Sequence, residues 1–194
     1  MTLEELKQRC EACTRCPLYK TRTNLVFGKG PTNADVMLIG EAPGRNEDLQ
    51  GYPFVGAAGH RLDTMLTDAG IDPSRVYIAN VLKCRPPQNR DPQPEEIAAC
   101  TPNLDDQIEL VDPCVIVCLG RFATAHILGS AAEGKPMAAL RGRVWKHHER
   151  FVVPVWHPAA TIYDQTKAPQ LAHDLSQIAK LTARVRADRA ALPR

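Results

Sequence analysis

One segment, from residue 40 to residue 59, limits the possible fold more than any other part of the chain. The apolar run just before it, residues 35–39, is typical of a buried parallel strand. After it, apolar residues recur at the spacing of one helical face, at Leu62, Met65, Leu66 and Ala69. The segment holds five glycines and two prolines, which fix an unusual backbone path and let a ligand approach the main chain. Because open α/β sheets bind ligands where a parallel strand ends, we predict that residues 40–59 form an active-site loop.

Strand-like and helix-like patterns alternate along the rest of the chain. Apolar runs at 76–80, 113–120 and 151–155 predict three further strands, with helical patterns between and after them. This alternation predicts an α/β fold of three layers, in which helices cover both faces of a central, mainly parallel four-stranded sheet. A chain of 194 residues is long enough to bury such a core, so we assign residues 1–194 to a single domain.

Hydropathy and charge narrow the class of protein. No stretch approaches the ~18 consecutive apolar residues of a membrane span, and the first residues lack an apolar signal region. We therefore expect a cytoplasmic protein that does not bind membranes. A net charge of +2 permits nucleic-acid binding but argues for it only weakly.

Seven cysteines in a chain without a secretion signal indicate a metal or redox site before disulfides. Four of them lie beside special turns or at a helix start: Cys13, Cys16, Cys84 and Cys100. Four thiolates can hold either a 4Fe–4S cluster or a structural zinc ion. Cys10 is an alternative ligand because another Cys-x-x-Cys begins there, while Cys114 and Cys118 are most simply core residues of a strand.

Polar side chains follow several of the predicted strands. Glu41, Asn80, the turn at 120–121 and His157 all lie at carboxyl ends of strands, which share one edge of a parallel sheet. A carboxylate, an amide and an imidazole that converge there, with Phe54 as a stacking surface, suit recognition of a planar heterocycle. Each of these residues taken alone is also compatible with ordinary loop polarity.

Basic residues gather in two groups, one at Lys83, Arg85 and Arg90 and the other at Arg141, Arg143, Lys146, His147, His148 and Arg150. Either group is compatible with a solvated surface. If they flank a crevice that recognises a base, they are suited to hold the phosphates of a nucleic-acid backbone.

Six motifs in order resemble the family 4 uracil-DNA glycosylases, the bacterial and archaeal enzymes that carry an iron–sulfur cluster. They are Gly-Glu-Ala-Pro-Gly at 40–44, Pro-Phe-Val-Gly at 53–56, Asn80, Lys-Cys-Arg-Pro-Pro at 83–87, Asn-Arg-Asp-Pro at 89–92 and His-Pro at 157–158. The resemblance runs from Cys13 to about residue 160. It implies a uracil-DNA glycosylase fold with an N-terminal cluster-binding segment, whose ligands are Cys13, Cys16, Cys84 and Cys100, and it favours the 4Fe–4S cluster over zinc.

The resemblance also implies roles in the crevice. Glu41 would lie beside a flipped deoxyuridine, where it orients water or stabilises the cationic sugar, and His157 would face uracil O2. Phe54 would stack on the base and Asn80 would read its polar edge. Three further residues would line the pocket: Glu47, with its role left open, and Ala42 and Gly44 through their main chains.

The implied function is repair of deaminated cytosine: the enzyme flips uracil out of DNA and hydrolyses its N-glycosidic bond, which leaves an abasic site. The expected partner is single- or double-stranded uracil-containing DNA, bound by a monomer. Lys83, Arg85, Arg90, Arg141 and Arg143 are candidate DNA contacts. The segment after His157 departs from many relatives, and Ile162 and Tyr163 are the candidates for a wedge in the vacated stack.

Two other classes stay open from the residues. One is a non-catalytic iron–sulfur module that binds damaged or single-stranded DNA, and the other is a hydrolase of small nucleosides or nucleotides. Glu41 and His157 together argue against the first. The second basic group at 141–150 argues against the other, because a mononucleotide site has no need of it.

Overall fold

Five strands form one sheet in a computed structural model that describes residues 1–191, with side chains to residue 188. The strands are β1 (Val36–Gly40), β2 (Val76–Asn80), β3 (Val115–Leu119), β4 (Trp145–His147) and β5 (Arg150–Val155). Their order across the sheet is β2-β1-β3-β5-β4. The first four in that order are parallel, as predicted, and β4 is a fifth, three-residue strand antiparallel to β5 at the edge. The assignment of residues 1–194 to one domain includes residues 192–194, which lie outside the described part.

Eight α-helices accompany the sheet within the described residues: α1 (Leu3–Glu11), α2 (Arg45–Gln50), α3 (Ala57–Asp68), α4 (Pro94–Val111), α5 (Arg121–Leu128), α6 (Met137–Leu140), α7 (Ala160–Tyr163) and α8 (Lys167–Ala191). The segment 40–59 is therefore not a continuous loop, because it contains the six-residue helix α2. Glycine ends α2 at Gly51, whose φ of 76° lies in the left-handed region.

The β1 strand shows how the sheet is covered on both faces. Val36 and Leu38 pack into one apolar cluster with residues of α3 and α8, including Leu62, Leu171 and Leu175. Met37 and Ile39 alternate to the other face and join residues of α4 and α5, including Leu104 and Ala123. Because both faces are buried, the strands read as continuous apolar runs and not as alternating patterns.

The N-terminal segment is tied to the domain by a small third cluster. α1 begins with a capping box, in which the Glu5 N–H donates to Thr2 Oγ1 at 3.2 Å and the Thr2 N–H donates to Glu5 Oε2 at 2.7 Å. Leu6 and Cys10 on α1 pack against Phe27. This packing holds the cysteines after α1 beside the chain that leaves β2.

In the described part of the chain, none of the helices combines the length and the apolar character needed to cross a membrane.

Candidate active site

Three parallel strands end at one cavity of about 300 Å³. β1 ends at Gly40 and β2 at Asn80, which are paired in register, and β5 ends two residues before His157. Parallel strands end at the same edge of the sheet, so the residues that follow them converge. All the residues predicted to contact uracil line this cavity: Glu41, Ala42, Gly44, Glu47, Phe54, Asn80 and His157.

The aromatic wall of the cavity depends on two glycines. Phe54 has a φ of 53°, in the left-handed region that bulky residues seldom adopt. A Cβ at Gly40 would lie 2.8 Å from Phe54 Cζ and would overlap the carboxamide oxygen of Asn80. A Cβ at Gly59 would overlap the carbonyl of Phe54. Neither position accepts a larger residue unless Phe54 moves.

The imidazole of His157 lies beside this wall and also lines the cavity. Its ring is stacked on Phe54, with 5.7 Å between centroids and 28° between planes. Burial lowers the pKa of His157 to about 4, and the charge of Glu47 opposes this shift only in part. The Ala159 N–H donates to Nδ1 at 3.2 Å, so Nδ1 is the acceptor and Nε2 carries the proton. At neutral pH the ring is a neutral hydrogen-bond donor.

The Glu41 carboxyl is the acidic group that follows β1. Its pKa is raised by burial and by the nearby charge of Asp91, while Arg121 acts in the opposite direction. In the described part of the chain, its side chain makes no hydrogen bond with protein. It is therefore free to bond a water molecule or a substrate atom in the cavity.

The second carboxylate of the cavity, Glu47, is held by the main chain. Its Oε1 accepts the N–H groups of Val55 at 3.0 Å and Gly56 at 2.9 Å. These bonds fix the segment that carries Phe54 against α2. Glu47 thus stabilises the wall of the cavity, which is a role that the sequence left open.

The carboxamide of Asn80 is buried but makes no hydrogen bond with any described residue. Its main-chain carbonyl accepts a hydrogen bond from Lys83 Nζ at 2.7 Å. A carboxamide offers one acceptor group and two N–H donors, and an enclosed amide without partners is costly. This side chain is thus available to pair with a ligand in the cavity.

A second, much smaller cavity of about 20 Å³ lies among the cysteines. All four predicted ligands line it, together with Cys10: Cys13, Cys16, Cys84 and Cys100. The thiols are free, and no described cysteine forms a disulfide. In residues 1–191 no three His, Cys, Asp or Glu side chains are close enough to hold a single metal ion.

Cations and main-chain donors surround these sulfurs. Arg22 Nη1 donates to Cys84 Sγ at 3.3 Å, and the Lys83 N–H donates to Cys100 Sγ at 3.3 Å. Burial raises the pKa of Cys84 and of Cys100. Burial also acts to raise the pKa of Cys13, but hydrogen bonds and charge from Arg15 outweigh it and the pKa is lowered.

The structure contradicts one predicted DNA contact. The side chain of Lys83 is 1% exposed, and its ammonium is bonded to Asn80 inside the protein. An enclosed side chain cannot reach a DNA phosphate, so this prediction is wrong. The surrounding prolines and charged residues had suggested an exposed loop, whereas the lysine turns inward.

Two other predicted contacts have structural partners. Arg90 donates to both carboxylate oxygens of buried Glu96, at 2.9 and 2.6 Å, and also lines the larger cavity. Arg141 donates to buried Asp174 at 2.8 Å and joins the segment after α6 to α8. Arg141 therefore stabilises the fold, and nothing in its position favours a DNA contact over that role.

The remaining candidates are accessible. Arg85 donates to Asn89 Oδ1 at 2.6 Å at the surface, and Arg143 is exposed. Ile162 is 46% exposed and Tyr163 is 90% exposed. Both lie on α7, which begins three residues after His157. An exposed apolar pair next to the cavity is where a wedge would have to lie.

Sequence reasoning missed the ion pair of Asp91 and Arg121, which acts on Glu41. Arg121 follows directly on Gly120 at the end of β3 and begins α5. Its place at the carboxyl end of β3 was therefore the feature of the sequence that could have identified Arg121. Asp91 belongs to the motif at 89–92, but only the tertiary structure brings it near Glu41.

The chain is similar to several known proteins. Residues 27–180 match the family described as the uracil DNA glycosylase superfamily. A Type-4 uracil-DNA glycosylase from Sulfurisphaera tokodaii is 43% identical over 186 residues, which cover 93% of this chain and 84% of the relative. One from Archaeoglobus fulgidus is 43% identical over 186 residues and 93% of each chain. One from Thermotoga maritima is 42% identical over 163 residues and 81% of each chain.

Proposed function

Because the chain belongs to the uracil-DNA glycosylase superfamily and to its type-4 group, it is a DNA-repair hydrolase of N-glycosidic bonds, and we propose that the cavity at the strand ends holds the flipped uracil. A base in the duplex stack cannot reach such a cavity. The enzyme must extrude the nucleotide, at a cost of a few kcal/mol in lost stacking and pairing. Phe54 supplies the stacking surface that replaces the neighbouring bases.

Cleavage of the bond separates charge. Negative charge develops on the uracil oxygens and positive charge on the sugar, so the transition state is stabilised by a donor at the base and an anion at the sugar. His157 donates from Nε2 to O2. A neutral donor suits this role because its Nδ1 partner and its low pKa keep the proton in place throughout the reaction.

Glu41 acts on the other side of the bond. Its carboxylate orients the attacking water and stabilises the cationic sugar. A carboxyl whose pKa is raised toward the working pH is a stronger base than an exposed one. Water gives its oxygen to C1′ and one proton to Glu41, and the second proton stays on the sugar as the new hydroxyl. The bond electrons leave with uracil, whose anion is held by His157 until it is protonated.

Asn80 selects the base. Uracil presents an acceptor at O4 and a donor at N3, which match the donor and the acceptor of a carboxamide. Cytosine reverses both groups, so the same amide would be left with unpaired, buried polar atoms, at about 1–3 kcal/mol each. The absence of a protein partner for this carboxamide in the described residues supports its use by the substrate.

We further propose that Cys13, Cys16, Cys84 and Cys100 hold a 4Fe–4S cluster. The donor set fits, because thiols and compensating cations line one enclosed space. A single zinc ion would need its sulfurs about 2.3 Å from one point, whereas a cluster would offer each thiolate a separate iron. When bound, the cluster would supply no chemistry to hydrolysis and would join residues 84–100 to the N-terminal segment.

The DNA-binding surface follows from the same geometry. Arg85 and Arg143 are the predicted cations that remain accessible for phosphates, and Ile162 and Tyr163 are placed to fill the gap left by the flipped base. We propose that the protein acts on single- or double-stranded DNA as a monomer with one domain.

The observation that carries the proposal is the convergence of Glu41, Asn80, Phe54 and His157 on one cavity. The test is to incubate the protein with an oligonucleotide that contains a single uracil and with its thymine counterpart. We expect alkali-labile abasic sites in the first and none in the second. Hydrolysis of free deoxyuridine at a comparable rate would instead favour a nucleoside hydrolase, and DNA binding without cleavage would favour a non-catalytic module.

A further inference from the structure

Lys83 lines the cysteine cavity and is bonded to Asn80, a residue that lines the larger one. Its side chain is buried, and its Nζ donates to the main-chain carbonyl of Asn80 at 2.7 Å. Its own N–H donates to Cys100 Sγ at 3.3 Å, and the residue lines the cysteine cavity. One residue thus bonds the end of β2 through its side chain and a cysteine through its main chain.

A buried ammonium is costly unless anions or several acceptors surround it. A neutral carbonyl satisfies only one of its three protons. The main-chain bond to Cys100 Sγ holds the residue at the cysteine cavity. The position of Lys83 therefore depends on Cys100 at one end and on the Asn80 carbonyl at the other.

Two main-chain bonds also hold the turn that follows Asn80. The Val81 N–H donates to the Gly40 carbonyl at 2.9 Å, and the Leu82 N–H donates to the Glu41 carbonyl at 3.0 Å. The bond from Lys83 to the Asn80 carbonyl is a third contact of this turn. Because the Asn80 carboxamide has no hydrogen bond to described residues, the main chain of Asn80 sets the orientation of this side chain in the cavity.

We propose that Lys83 is a positioning residue, which holds the Asn80 peptide so that the carboxamide meets the polar edge of uracil, and whose own place is set by the cysteine cavity. The inference rests on the proposed function of Asn80. It assigns Lys83 an effect on base recognition that a lysine which only filled space would not have.

The test is a double-mutant cycle between Lys83→Met and Asn80→Ala, measured as single-turnover uracil excision. Methionine keeps the length and apolar stem of lysine but removes the charge and the donors. We expect Lys83→Met alone to lower the excision rate roughly tenfold, because it removes one charge-assisted hydrogen bond. When the enzyme already carries Asn80→Ala, adding Lys83→Met should lower the rate by less than about twofold. An equal loss in both backgrounds overturns the proposal.

Two controls keep the result specific. Lys180→Met makes the same substitution at an exposed lysine of α8 and should retain the parent rate. Lys83→Gln retains an N–H donor without the charge and should recover part of the activity that Lys83→Met loses. Iron content and the visible absorbance spectrum are recorded for each variant, so that loss of the cluster is seen directly and is not mistaken for an effect on Asn80.

A measurement on the unaltered enzyme covers the case in which Lys83 variants do not fold. The ¹⁵N resonance of the buried lysine ammonium should shift when free uracil binds, and this shift should vanish in Asn80→Ala. If the ¹⁵N resonance does not shift when uracil binds, the proposal is wrong. Failure of the proposed function is distinguishable, since the parent would then release no uracil at all.

Discussion

The larger cavity and the cysteine cavity are built in different ways. The larger one is formed by residues that follow three neighbouring strands, and its wall is held by main-chain bonds to Glu47 and by two glycines that fit no larger residue. The cysteine cavity brings together α1, the segment after it, the chain that follows β2, and α4, which are distant in sequence.

The residues that line the two cavities suit two kinds of ligand. A cavity of about 300 Å³ that opens to solvent admits a base and releases it after reaction. The cysteine cavity, at about 20 Å³, is lined by thiols and cations, and thiol ligands suit a metal group that stays in place. The comparison teaches that the sheet alone brings the residues of the larger cavity together, whereas the proposed cluster would hold the distant segments of the cysteine region together.

The largest effect should come from the chemistry of the sheet edge. Glu41→Gln and His157→Ala each remove one preorganised stabiliser of transition-state charge, so excision should fall about 10²–10³-fold while DNA binding changes little. Single-turnover excision and equilibrium binding of a uracil oligonucleotide measure the two quantities. If either variant excises uracil at the parent rate, the residue that it replaces has no catalytic role.

The cysteine cavity should respond in stability and iron content. Cys84→Ala or Cys100→Ala should abolish the expected content of about four irons per chain and destabilise the fold by a few kcal/mol, since the 84–100 segment loses its attachment. Cys10 packs against Leu6 and Phe27, so Cys10→Ala should keep its iron. Iron assays and thermal unfolding check both. Stoichiometric zinc in colourless protein would contradict the cluster.

A smaller effect, but a more specific one, is expected at Asn80. Asn80→Asp should lose uracil cleavage and, in its protonated form, accept cytosine weakly, because a carboxylic acid can donate to N3 and accept from N4. Asn80→Ala should weaken uracil cleavage, by about 1–3 kcal/mol, without any gain on cytosine. Paired oligonucleotides with uracil or cytosine at one position test both variants. The role in base reading is wrong if both retain the parent preference and rate.

The smallest effect concerns pH. As pH falls, Glu41 gains its proton above the usual range for a glutamate, so excision should decline on the acid side. His157 adds nothing to this decline until about pH 4, because it is already neutral above its pKa. The residual rate of Glu41→Gln should therefore be flat between about pH 5 and 8. If excision by Glu41→Gln still declines at low pH, as in the parent enzyme, another group causes that decline.

Sequence reasoning succeeds where function follows from strand order. Asn80 and His157 converge because parallel strands end at one edge, and apolar runs are enough to find those strands. It fails where burial depends on tertiary partners. Lys83 lies in a basic, proline-rich loop typical of a surface, and only the thiols and the Asn80 carbonyl explain why it points inward.

The same limit applies to Glu47 and to the segment 40–59. Glu47 accepts hydrogen bonds from the N–H groups of Val55 and Gly56, which lie eight and nine residues later in the chain. No local sequence pattern predicts the turn that brings them together. α2 was missed because its six residues are too short for a clear amphipathic period and carry mostly polar side chains.

The left-handed backbone of Phe54 has a consequence for anyone who tries to make this enzyme more heat-resistant. A bulky residue in that region carries strain on the order of 1–3 kcal/mol, which glycine at the same position would relieve. Phe54 is also buried in the apolar cluster that covers β1, and the loss of a buried phenyl ring costs about 3–5 kcal/mol, so glycine would destabilise the fold on balance. Packing therefore tolerates the strained backbone, and thermal screens should leave this position fixed.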